Sequence, residues 1–124
     1  MNHPGVSVCL CLVLTACNDE WIEARWMPPS GILPGMELVG IDRWGGVGPN
    51  HNLAEQYLEL RCQAEPRRRV REVYWPGPDW VGLGEGHRVR WSSNAVTFLP
   101  SWHNPNIHPL TFTAAEVARL GVCP

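Results

Sequence analysis

The sequence predicts an α+β fold: a small antiparallel sheet of four to five strands with one short C-terminal helix, stapled by a disulfide. Three observations lead there. Residues 55–63, EQYLELRCQ, alternate between apolar and polar side chains, the pattern of a strand with one buried and one wet face. With 12 Gly and 12 Pro in 124 residues, the chain is punctuated too often for long helices. FTAAEVARLGV, near the C-terminus, carries a helix start and a helix stop within one short stretch. The length suits one domain.

In chain order, the first element is an apolar run. Val6 to Ala16 reads VSVCLCLVLTA and ends abruptly at Cys17-Asn18-Asp19-Glu20, with no charged side chain before Asp19. A span of the bilayer core needs about 20 helical residues, so this run is too short to cross one. It has the length of the apolar region of a secretory signal peptide. Its end, Leu14-Thr15-Ala16-Cys17, resembles the lipobox of bacterial lipoproteins: a Leu, two small residues, then the cysteine at which the signal peptidase cuts.

That resemblance implies that residues 1–16 are a signal peptide and that Cys17 carries diacylglycerol on its sulfur. Cys17 then becomes the mature N-terminus and is itself N-acylated. The small side chains of Thr15 and Ala16 let the peptidase seat an extended backbone, and only a thiol forms the thioether to lipid. The leader MNHPG departs from the usual pattern in having no Lys or Arg. Because Asp19 stands one place beyond the position that favours inner-membrane retention in enterobacterial systems, the resemblance implies an outer-membrane lipoprotein facing the periplasm. Cys9 and Cys11 leave with the signal. Outside the cytoplasm the two remaining cysteines, Cys62 and Cys123, most economically form one disulfide.

Residues 17–35 hold Pro28-Pro29, Gly31 and Pro34-Gly35 and read as a semi-extended tether between the lipidated cysteine and a globular domain over 36–124. Trp21 and Trp26 within it either lie in the lipid interface or dock on the domain. Strands are expected at Met36–Trp44, across EQYLELRCQ, and at Val70–Trp75, the last stopped by Pro76-Gly77-Pro78. In EQYLELRCQ, Leu58, Leu60 and Cys62 share the buried face, with Tyr57, Glu59, Arg61 and Gln63 on the wet one. HRVRW and AVTFLP, joined by Ser92-Ser93-Asn94, read as a hairpin with Val89 and Trp91 set against Val96 and Phe98. The helix spans Ala114 to Leu120. Thr113 and Glu116 form a capping box, Phe112 and Val117 a hydrophobic staple, and Gly121 the stop.

The functional signals are fewer. Ten basic residues, all Arg, against 12 acidic ones give a net charge of −2, too balanced for a nucleic-acid partner. Gly45-Gly46-Val47-Gly48 is followed by a proline and opens no helix, so it reads as a turn, not a phosphate loop. His51, His87, His103 and His108 are spread over loops without the tight pairs of a zinc site, so no metal and no cofactor is expected. Glu85 and His87 could pair as carboxylate and imidazole, but no convergent nucleophile accompanies them and no catalytic residue is assigned.

Seven Trp residues are the compositional outlier. Trp75, Trp80 and Trp102 stand on Pro/Gly-rich stretches, and Arg67-Arg68-Arg69 follow Pro66. Trp and Arg are enriched at protein hot spots. The composite expectation is a membrane-anchored, non-catalytic binding module that uses Trp75, Trp80, Trp102, Arg67, Arg68 and Arg69. Its partner would be an envelope protein, as for an immunity or inhibitor lipoprotein or an accessory subunit. A cell-wall glycan stacked on the tryptophans is the alternative, and a small envelope enzyme a third class.

Overall fold

Residues 19–45, 53–74, 83–84, 86–101 and 108–124 are described by the computed structural model. Residues 1–16, expected as a signal peptide, Cys17, Trp75, Trp80, Trp102, residues 46–48 of the glycine-rich stretch, His51, Glu85 and His103 lie outside them.

Among the described residues, seven strands and one helix follow one another: β1 (Asp19–Trp26), β2 (Met36–Gly45), β3 (Leu53–Cys62), β4 (Arg69–Val73), β5 (Arg88–Trp91), β6 (Val96–Leu99), β7 (Leu110–Phe112) and α1 (Ala114–Leu120). They form a four-stranded sheet in the order β1-β2-β3-β4 and a three-stranded sheet in the order β5-β6-β7. Every pairing is antiparallel. The fold is therefore mainly β, with more strands than the expected four or five and a helix of only seven residues.

The first strand is the main difference from the expected organisation. Asp19–Trp26, assigned to the tether, pairs along β2 with Trp26 opposite Leu38 and Asp19 opposite Trp44. A bulge at Glu23 shifts the register between Ile22 and Ala24, which breaks the period-2 signal by which strands are read. The prolines and glycines that follow build a turn. Ile32 N–H donates to Pro29 O at 3.0 Å and Met36 N–H to Leu33 O at 3.2 Å. Gly35 has a φ of 82°, and a Cβ there would lie 3.0 Å from the Cβ of Cys123, so only glycine fits both the backbone and the space.

Trp26 docks on the domain. Its indole N–H donates to His87 O at 3.2 Å, and its ring meets Phe98 edge-on with centroids 5.5 Å apart. Tyr74 and His87 pack on the same ring, at 5.3 and 5.1 Å. Phe98 and Phe112 from the second sheet, Leu38, Leu58 and Leu60 from the first, and Val117 and Leu120 of α1 share one core. The β5–β6 hairpin has the expected register, Val89 opposite Phe98 and Trp91 opposite Val96.

Leu58, Leu60 and Cys62 face this core as expected. The opposite face of β3 does not stay wet: Tyr57 and Glu59 are buried. β3 lies between β2 and β4, so oppositely charged side chains from its neighbours close over it. The helix keeps its expected bounds. Thr113 Oγ1 accepts from Glu116 N–H at 3.3 Å, and Thr113 N–H donates to Glu116 Oε1 at 2.9 Å, completing the capping box. Cys62 and Cys123 are bridged, with Cα atoms 5.4 Å apart across 61 residues. The bridge fastens the end of α1 to the end of β3.

Candidate functional site

The turn between β3 and β4 sorts the three consecutive arginines into different roles. Arg68 N–H donates to Glu65 O at 2.9 Å, and Cys62 N–H to Arg68 O at 3.1 Å, which fixes the turn just after Pro66. The Arg68 side chain reaches the last turn of α1, donating to Leu120 O and, at 3.0 Å, to Val122 O. Those carbonyls have no partner within the helix, so Arg68 caps its C-terminus. Arg68 also pairs with Glu65 at 2.7 Å. Arg67 and Arg69 point elsewhere and are exposed.

Five arginines, Arg67, Arg68, Arg69, Arg71 and Arg119, line one groove of about 450 Å³ beside β4, with Glu72 the acidic residue in its wall. Their charges are unequally engaged. Arg71 binds Glu59 at 2.8 Å and Glu20 at 3.0 Å. Arg69 lies 3.8 Å from Glu59 and its side chain is 49% exposed. Arg119 lies 3.9 Å from Glu116 and is 68% exposed. Separations of 3.8–3.9 Å are beyond hydrogen-bond length, so these guanidinium donors stay open to a ligand. Arg67 has no ion pair among the described residues. The groove is thus a net cationic surface with three under-engaged forks, suited to carboxylates.

Behind it runs a charge lattice that crosses the first sheet. Glu37 of β2 accepts from Arg25 of β1 at 2.9 Å and from Arg61 of β3 at 2.8 Å. Arg61 also reaches Glu59 at 3.2 Å, and Glu59 accepts from Arg71 of β4. Arg71 closes the lattice on Glu20 of β1. Its guanidinium sits 5.0 Å from the centroid of the Tyr57 ring. The hydrogen bond from Arg71, with the positive charges of Arg43 and Arg69, holds the Glu20 carboxyl below its ordinary range. Bonds to Glu20 and Glu59 in turn push the Arg71 guanidinium up, so it stays cationic at any working pH. The lattice fixes Arg71 and positions the floor on which Arg69 stands.

At the other end of the sheet two carboxyls meet. Asp42 is pushed up to about 6, chiefly by burial and further by its contact with Glu23, against the hydrogen bond it receives from Gln56. The folded state therefore binds a proton that the unfolded chain has released above its ordinary value of 3.8. Stability from this group is full below that value and is lost as pH rises through 6. Asp42→Asn, which keeps an acceptor for Gln56, is expected to be more stable than the parent at pH 8 and no more stable at pH 4. Urea unfolding of both proteins across that range checks it, and parallel profiles refute it.

Arg67 and Arg69 stand open in the groove, Arg68 caps α1, and Cys62 and Cys123 are bridged. Cys17, Trp75, Trp80 and Trp102 lie outside the described residues. His87 is buried, its Nδ1 accepting from Ser101 N–H at 3.0 Å and its ring against Phe98, which secures the end of β6. Among the described residues no group of three or more His, Cys, Asp or Glu could hold a metal ion.

Sequence reasoning missed Arg119, which had no signal of its own, and the roles of Glu37 and Glu59. Arg71 follows the arginine run two residues after Arg69, and only the strand pairing shows that the two share a face. Compared with known proteins, the chain matches no family model, no curated protein and no solved structure.

Proposed function

We propose that the chain is a lipid-anchored lipoprotein of the bacterial envelope whose β-rich domain acts by binding a protein, as an immunity or inhibitor lipoprotein or an accessory subunit. The observation that carries this reading is the groove in which Arg67, Arg69 and Arg119 gather with guanidiniums open to solvent. Arginines that are already positioned lose little freedom when they bind, which is what a hot spot needs. The helix bearing Arg119 is pinned by the disulfide and by Arg68, so the groove keeps its shape without a ligand.

The anchor follows from Leu14-Thr15-Ala16-Cys17. Several acyl chains, at about 0.8 kcal/mol per buried CH₂, hold a protein at a membrane far better than one chain does. The domain then meets its partner at the periplasmic surface of the membrane, the outer membrane being the one that the position of Asp19 favours.

The test is affinity capture from envelope extract with the full chain as bait, analysing retained protein and glycan together. The expected result is one enriched protein, lost with the Arg67→Glu/Arg119→Glu double variant, and labelled fatty acid that is incorporated by the parent but not by Cys17→Ala. Cell-wall fragments retained without protein would replace this reading with the glycan binder. Label persisting in Cys17→Ala would remove the anchor.

A further inference from the structure

β4 ends the first sheet, and its hydrogen-bond register decides what its free edge can do. Two backbone bonds continue the β3–β4 ladder at its ends: Cys62 N–H to Arg68 O and Tyr74 N–H to Gln56 O. Hydrogen-bonded and non-bonded pairs alternate along an antiparallel ladder. In this register Leu60 stands opposite Val70 and Leu58 opposite Glu72 as bonded pairs. The intervening residues Arg69, Arg71 and Val73 therefore aim their N–H and C=O groups away from β3. No described strand lies beyond β4. Such a row of unpaired groups is a template for a further strand.

The side chains around that edge specify the strand. Arg69 and Arg71 project to the face that carries Glu59, while Val70 and Leu120 belong to the core on the other face, beside Glu72. A strand added here would place every second residue beside Arg69, whose fork is open, and Arg71, which Glu59 and Glu20 already hold, so a carboxylate gains the Arg69 cation in a positive surround. Its alternate residues would lie along the rim formed by Val70 and Leu120, where Glu72 repels acid and apolar side chains are favoured. Arg67 and Arg119 in the same groove add to the positive field. A second copy of this chain is a poor occupant, because joining two β4 edges would bring Arg69 and Arg71 of both copies together, and like charges across strands destabilise a sheet.

We propose that the groove takes an extended segment of the partner protein, alternating acidic and apolar residues, which joins the first sheet as a fifth strand on β4. This rests on the protein-binding reading and specifies its mode.

The probe is acetyl-(Glu-Val)₄-amide, added to the oxidised full chain in detergent solution, with acetyl-(Lys-Val)₄-amide and an alternately N-methylated (Glu-Val)₄ as controls. Binding is followed by calorimetry and by amide exchange. The acidic peptide is expected to bind, to slow exchange at the Arg69, Arg71 and Val73 amides by about tenfold or more, and to leave the Val70 and Glu72 amides unchanged. Arg69→Glu is expected to weaken binding about tenfold or more, near 1.4 kcal/mol. Val73→Pro, which removes an outward N–H at an exposed edge position without touching charge, is expected to weaken it as well.

Equal binding of the N-methylated peptide, or binding without protection at these three amides, overturns strand addition while leaving a cationic protein-binding groove. No binding of the acidic peptide at millimolar concentration, or equal binding of the lysine peptide, overturns the acidic segment itself. Envelope capture that returns only cell-wall fragments overturns the underlying reading whatever the peptide does.

Discussion

Replacing Cys62 and Cys123 together by alanine is expected to lower the unfolding free energy by roughly 4 kcal/mol, the loop-closure entropy that a bridge across a segment of this length removes from the unfolded chain. The bridge spans 61 residues, from the end of β3 to a point three residues past α1. It matters more than its energy because of where it lies. α1 has seven residues, too few to persist by itself, and is held by Val117 and Leu120 in the core, by Arg68 and by this bond. With a urea dependence of about 2 kcal/mol per molar, the midpoint falls by about 2 M. A midpoint change below about 0.5 M would show that α1 and the turn at Gly35 are secured without the bond. Arg119 should leave the groove as α1 loosens, so the variant should also bind the acidic peptide less well.

Glu59→Gln is the second large effect. Glu59 is fully buried, and its carboxylate accepts from Arg71 at 2.8 Å and from Arg61 at 3.2 Å, with Arg69 at 3.8 Å. The amide keeps the shape but removes the charge shared by three cations and turns one acceptor into a donor facing them. Breaking a buried ion pair from one side costs about 3–5 kcal/mol. Part of that is recovered here, because Arg71 keeps Glu20 and Arg61 keeps Glu37. The expected loss is therefore about 3 kcal/mol in urea unfolding, with the urea dependence unchanged. A loss below about 1 kcal/mol would mean that the lattice is screened like a surface pair. Arg71→Ala, more exposed and at the sheet edge, should cost less, and the two substitutions should not add, because their side chains touch.

Several parts of the fold were legible in the residues. α1 was bounded by Thr113, Glu116 and Gly121, because a capping box and a stop are contacts within a few residues of chain. β3 was legible on its core side through Leu58, Leu60 and Cys62, and the β5–β6 hairpin through alternation on either side of a short polar turn. The disulfide followed from two cysteines remaining in an exported reading of the chain. In the candidate site, Arg67, Arg68 and Arg69 were visible as a cluster, but not that Arg68 caps a helix while its two neighbours stay open.

Short-range signals by themselves thus determined the helix, the hairpin and the buried stripe of β3, since capping and alternation depend on residue type and close spacing, while the bridge followed from the count of cysteines left in an exported chain. Tertiary structure alone decided that the presumed tether is β1, that the charged face of β3 is buried, and that an edge strand lies open beside five arginines. Each of these turns on which distant residues meet. The bulge at Glu23 hides the period of β1 until it lies against β2. Glu59 tolerates burial only because Arg71 and Arg61 close on it. Arg71 meets Glu20 across 51 residues, and Arg68 meets the end of α1 across 52. Ion pairs have no sequence period to announce them; pairing distant strands brings their charges within reach, and the burial that follows makes them matter.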